Sequence, residues 1–172
     1  RDHADFFAGI RERSVITINH FRAAIGSQKE MMAFMTNPVN HHYFDPDEVE
    51  AINAHVPWTR RMDETITISP EGQDMAIVDY ALHNREKLVL KITTGAGGND
   101  VFVGKACEEN KWNDAIEMAS GSPWWILQEA CDIPEYELPT LKDNKVVLEK
   151  KKVNLNPYVF DGKYVGSISR VS

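Results

Sequence analysis

Apolar residues at Ala4, Phe6, Phe7 and Ile10 recur with helical spacing in the opening stretch through Arg13, and the β-branched run Val15, Ile16 and Ile18 behind it suits a buried strand. A second helix is predicted from Gly26-Ser27 through Met31, Met32, Phe34 and Met35, ending near Asn37-Pro38. At Asp45-Pro46-Asp47-Glu48, an N-cap aspartate, a first-turn proline and a glutamate three places after the cap form a capping-box pattern, which predicts a helix from about Pro46 to Ala54. The segment Pro57-Trp58-Thr59-Arg60 interrupts it. Ser69-Pro70-Glu71 repeats the start signal and leads into Met75, Val78 and Leu82, spaced as one helical face that ends near Asn84.

The pattern shifts toward strands further on. Leu88-Val89-Leu90-Lys91-Ile92 predicts a strand, Thr93-Thr94-Gly95-Ala96-Gly97-Gly98-Asn99 a flexible loop, and Val101-Phe102-Val103 a second strand. Trp112, Ala115, Ile116 and Ala119 line one side of a helix that stops at Gly121, and Trp124 to Leu127 supplies another strand. Prolines and charges break up the pattern from Asp132 to Lys145, the nearest approach to a boundary. Extended runs follow at Val146 to Leu148, Tyr158 to Phe160 and Tyr164 to Ile168, with Asp161-Gly162 as a hairpin turn. The class these elements imply is α+β, a mainly antiparallel sheet with flanking helices.

A chain of 172 residues, 42% of them hydrophobic, can bury one good core or two small subdomains. Its 19 basic and 26 acidic side chains give a net charge of -7, which repels nucleic-acid backbones. Cys107 and Cys131 form no CxxC pair and the histidines do not cluster, so neither a disulfide framework nor a zinc site is expected, and a reducing, cytoplasmic setting fits. Apolar runs fall far short of the roughly 20 residues of a membrane span. The chain opens at Arg1 directly into an amphipathic pattern, which reads as an internal piece of a longer protein.

Lys91 ends an apolar strand and is followed at once by a loop with three glycines, which sets an ammonium beside backbone amides able to approach phosphate oxygens. A solvated strand-end lysine is the plainer alternative. The loop lacks the GK[ST] of a Walker A sequence and leads into a strand rather than the helix a dinucleotide fingerprint needs. What remains is a hairpin that closes over phosphates, with Thr93 and Thr94 as further hydrogen-bond donors. Arg170, in an alternating strand, offers a planar guanidinium to an acyl phosphate or carboxylate, or makes a surface salt bridge. The pair His41-His42 has no third ligand at useful spacing, and Met31, Met32 and Met35 read as core filler.

Several of these pieces occur together in an order that resembles the circularly permuted ATP-grasp superfamily, of the glutathionylspermidine synthase type. They are Gly26-Ser27-Gln28-Lys29, Val56-Pro57-Trp58-Thr59-Arg60, Lys87 to Lys91, the loop through Gly97-Gly98, Val101 to Gly104, Trp112, and Trp125-Ile126-Leu127-Gln128-Glu129. Asn156 to Lys163 and Gly166 to Ser172 are similar to the family's later strands, so the likeness runs from roughly Ser14 to the end. It departs from the family in Ile92, where proline commonly follows the strand lysine, and in a phosphate loop with no acidic residue or tyrosine.

The resemblance implies an ATP-grasp-type fold of two small subdomains gripping nucleotide, with an opening segment over 1–56, a lid over 57–131 and a β-rich return over 132–172. It implies that Lys91 and Lys29 hold the phosphates of ATP and that the loop of Thr93, Thr94, Gly95, Gly97 and Gly98 closes over them. Gln128 and Glu129 would lead into the hinge that reads adenine, and Glu135 would meet the ribose hydroxyls. Glu129 and Glu135 have solvated surface carboxylates as their alternative. Magnesium ligands, a Glu-x-Asn segment in this superfamily, are expected in a part of the parent ahead of this chain; Glu149, Asn154 and Asn156 form a superficially similar cluster.

The implied activity is ATP-dependent ligation of a carboxylate to an amine through an acyl phosphate, with no competent catalysis from this piece alone. An ATP-grasp phosphotransferase and a non-catalytic nucleotide-binding or interaction module are the alternatives, because fold alone does not fix function.

Overall fold

The computed structural model describes residues 3–95 and 100–172. The chain divides into two compact units, residues 1–130 and 131–172. The first holds α1 (Ala4–Arg11), α2 (Ala23–Gly26), α3 (Glu30–Thr36), α4 (Pro46–His55), β1 (Thr59–Arg61), β2 (Ile66–Ile68), β3 (Asp74–Ala76), α5 (Ile77–His83), β4 (Leu88–Ile92), β5 (Val101–Val103), α6 (Glu109–Ala119) and β6 (Trp125–Glu129). The fold is α+β, and every strand pairing is antiparallel. Among the described residues, no helix is long and apolar enough to cross a membrane.

The principal sheet runs β1-β6-β4-β5. Strand alternation gives it two different faces. Leu88, Leu90, Trp125 and Leu127 point to one side, where α5 and α6 cover them with Ile77, Ala81, Trp112, Ala115, Ile116 and Ala119. The α6 residues recur at three- and four-residue steps, so one helical stripe is buried, and each large side chain sealed there contributes about 1.5–3 kcal/mol. Trp112 keeps its polar edge satisfied by donating from Nε1 to the Ala81 carbonyl at 3.1 Å. Val89, Ile126 and Gln128 point to the other side, toward α3.

The helix at Pro46 forms as its capping signal predicts, and the Glu48 carboxylate accepts from the Asp45 N–H at 3.0 Å. Three expectations are corrected. Val15, Ile16 and Ile18 form no strand: they lie between the left-handed residues Arg13 and Asn19, and Ile16 is 92% exposed. A β-branched run becomes a strand only where an edge accepts its backbone groups, and no strand pairs with this run. The helix expected from Gly26 is split into α2 and α3, because the Lys29 N–H donates to the Thr93 carbonyl at 3.3 Å.

Ser69-Pro70-Glu71 starts no helix. The Ser69 hydroxyl accepts from the N–H groups of Glu71 and Gln73, both at 3.2 Å, and Gly72 takes φ +83°, which closes the β2–β3 hairpin and delays α5 to Ile77. Serine, proline and glutamate serve a turn as well as a helix start, and the positive φ of Gly72 marks the turn.

The second unit is a three-stranded sheet ordered β7-β8-β9, with β7 (Glu135–Lys142), β8 (Lys145–Phe160) and β9 (Lys163–Val171). Asp161-Gly162 forms the turn expected of it, with φ 48° and 69°. The loosely patterned segment is strand β7, joined to β8 by Asp143 and Asn144, whose φ values of 50° and 58° fit a two-residue hairpin. Pro139 lies within β7 opposite Leu148, and the β8–β9 ladder shifts register at Tyr158/Val159 near Gly166, at φ +146°.

A Cβ placed on Gly104 would stand 1.8 Å from the Arg85 carbonyl oxygen, whereas one on Gly26 would meet nothing within 4 Å. Gly104→Ala is expected to cost about 2 kcal/mol or more, and Gly26→Ala to stay within about 0.5 kcal/mol of wild type. Urea unfolding midpoints check both.

Candidate functional site

Helix α3 is too short to be stable alone, and it is held by polar contacts that step across the sheet. Lys29, its N-cap residue, donates from Nζ to the carbonyls of Thr93, at 3.4 Å, and Gly95. Three positions on, Met32 Sδ accepts from Gln128 Nε2 at 3.2 Å. Four further, the Thr36 hydroxyl donates to the Thr59 carbonyl at 3.1 Å and accepts from the Thr59 N–H at 3.2 Å. The spacing places all three on one stripe, which spans the end of β4, the middle of the sheet at β6, and the edge strand β1.

Gln128 is the centre of this face. It is 4% exposed, sits directly opposite Val89 on one side and Thr59 on the other, accepts from Lys91 Nζ at 2.7 Å and donates to Thr59 Oγ1 at 2.8 Å. Thr93 follows β4 with its own N–H given to the Trp124 carbonyl, and its buried Oγ1 has no hydrogen-bond partner among the described residues. Lys29 meets Thr93 and Gly95 just beyond the end of β4, Lys91 meets Gln128 within the sheet, and α3 joins the two through Met32. Two lysines near the C-terminal end of β4, with a buried hydroxyl that has no partner among the described residues, are suited to receive an anion.

The remaining expected residues lie elsewhere. Thr94 is exposed, and Gly97 and Gly98 fall outside the described residues. Glu129 ends β6, exposed, with its N–H given to the Trp58 carbonyl at 2.9 Å. Glu135 and Arg170 belong to the second unit. The register pairs Glu135 with Lys152 and Arg170 with Asn154, so all four side chains share one face of that sheet. Asn156 shares it too, but Glu149 lies on the opposite face, held by Lys142 and, at 3.5 Å, by Lys151. The cluster of Glu149, Asn154 and Asn156 does not assemble. Among the described residues, no three His, Cys, Asp or Glu side chains gather as a metal site.

Arg60 escaped the reading of the sequence. It is 1% exposed, donates from Nη1 to the Thr59 carbonyl at 2.7 Å and to Thr36 Oγ1 at 3.2 Å, and packs 5.0 Å from the Trp58 ring. Burial pushes its guanidinium pKa down, against the opposing charge of Glu64. Next to it, Arg61 is the ordinary case: its hydrogen bond to Asp63 holds its pKa up. The three-residue strand β1 thus carries one paired surface arginine and one buried one.

Gln128→Leu removes both the acceptor for Lys91 and the donor to Thr59, and is expected to destabilise the chain by about 1–3 kcal/mol. In a cycle with Lys91→Met, the two sites should couple by about 0.5–3 kcal/mol; additive urea-unfolding energies would place Lys91 outside the Gln128 network. No family model, curated protein or solved structure matches the chain.

Proposed function

We propose that the chain is the nucleotide-gripping part of an ATP-dependent carboxylate–amine ligase of the circularly permuted ATP-grasp type. The observation that carries this reading is the joining of Lys29, at the start of α3, to the Thr93–Gly95 backbone just beyond Lys91. Two lysines far apart in sequence, both named by the resemblance, serve one strand end. Lys29 donates to two backbone carbonyls, and Lys91 donates to the Gln128 amide oxygen. The carbonyls that hold Lys29 are neutral acceptors that a phosphate oxygen can replace.

In this proposal Lys91 and Lys29 neutralise phosphate charge, and the Thr93 hydroxyl gives a further donor. Glu129 faces the adenine end of the nucleotide. ATP supplies the phosphoryl group that activates a carboxylate for attack by an amine. Phosphoryl transfer depends mainly on positioning and on cations around the transferring oxygens, which is what two held lysines provide. Magnesium is assigned no residue of this chain. A cytoplasmic setting suits ATP and the free thiols of Cys107 and Cys131.

Saturating MgATP, at about 100 times its dissociation constant, should add about 2.7 kcal/mol of stability, a rise in melting temperature of about 5–10 °C for a chain of this size. Lys91→Ala and Lys29→Ala should each abolish the rise. A wild-type melting temperature unmoved by MgATP overturns the nucleotide grip; a rise that persists in both variants overturns the roles of the lysines.

A further inference from the structure

A cleft of about 340 Å³ opens in the first unit on the β1 side of the sheet, lined among others by Thr36, Asn53, Trp58, Arg60, Ser69 and Glu129. Neither Lys29, Lys91 nor Thr93 lines it. Arg60 is a permanent cation, almost wholly buried, and no carboxylate among the described residues pairs with it. Its Nε–H is buried and has no acceptor among the described residues. Buried charges are ordinarily paired, and one donor left over at a buried guanidinium is a vacancy for an oxyanion. The Trp58 ring at 5.0 Å, the Thr59 carbonyl and the charge of Glu64, which makes no ion pair with Arg60, favour the cation without serving its Nε–H.

The same cleft holds a charge of the opposite sign. Glu129 lines it as an exposed carboxylate that makes no ion pair with Arg60. Its charge, with that of Glu71, adds to burial in raising the pKa of Tyr80, whose ring lies tilted against Trp58 with centroids 5.5 Å apart. An inorganic phosphate would meet Arg60 but be repelled by Glu129, and a simple amine would meet the reverse. A molecule bearing one carboxylate and one ammonium satisfies both, and a cavity of this size accepts a small one.

We infer that this cleft is a second binding site, taking a small amino-acid-like zwitterion whose carboxylate seats on Arg60 and whose ammonium faces Glu129. The site stands independently of the nucleotide reading, with which it shares only Glu129 among its named residues.

The Nε–Hε NMR peak of Arg60 tests it directly on the intact chain, assigned by its loss in Arg60→Lys. Titrated with L-alanine, acetate, methylammonium, inorganic phosphate and MgATP in turn, the peak should shift saturably with L-alanine in the millimolar range. Acetate should bind about threefold or more weakly, for want of the exposed ion pair, and Glu129→Gln should bring the two to parity. If Arg60→Lys fails to fold, the peak is assigned through its bonded Arg60 carbons and the wild-type titration decides the matter alone. No saturable shift with L-alanine overturns the inference, leaving Arg60 a structural cation. A response to phosphate or MgATP equal to or stronger than that to L-alanine also overturns it, by making the cleft an anion site or part of the nucleotide site.

Discussion

The first unit depends on the alternation of side chains along β6, a central strand paired on both edges. Trp125 and Leu127 go down into the layer under α5 and α6, while Ile126 and Gln128 go up toward α3. Four consecutive residues thus serve two different interfaces. The lower one is sealed by apolar area, which is strong and tolerant of small shifts. The upper one is set by hydrogen bonds from Lys29, Met32 and Thr36, which are weaker in sum but directional. The result is a rigid layer beneath a helix whose position is fixed by polar contacts, an arrangement in which function can be built on one face without loosening the other.

How much of this was legible in the sequence followed the range of the interactions. The helix after Pro46, the α6 stripe of Trp112, Ala115, Ile116 and Ala119, and strand β4 were readable because a cap or a periodicity is written in adjacent residues. Val15 to Ile18 misled because strand propensity describes a residue's fit to a sheet without supplying the neighbouring strand. Ser69-Pro70-Glu71 misled because the same side chains satisfy a turn and a helix N-terminus, and the choice lay at Gly72. Asp143-Asn144 was missed because neither residue is glycine, although both asparagine and aspartate tolerate the left-handed conformation.

Lys91 and Lys29 were visible as candidates, one from its strand-end position and one through resemblance, but their link through Thr93 crosses 64 positions of sequence. The network around Gln128 is longer in range still, joining residues 69 and 96 positions apart. Arg60, quoted only within the segment Val56 to Arg60, was given no role for a related reason: only the packing of Trp58 and Thr36 distinguishes it from Arg61. The spacing of Lys29, Met32 and Thr36 is the one local signal that pointed toward this face, and it was masked by reading the methionines as filler.

The second unit shows how a sheet with wet faces can remain a finite object. Its long strand β8 is flanked on both sides, so any further growth must begin at β7 or β9. Pro139 deprives β7 of a backbone donor in mid-strand, and the register shift beside Gly166 distorts the ladder that β9 would have to extend. A polypeptide rich in valine, leucine and tyrosine is thereby kept from offering a flat, continuous border on which copies of itself could stack into fibrils.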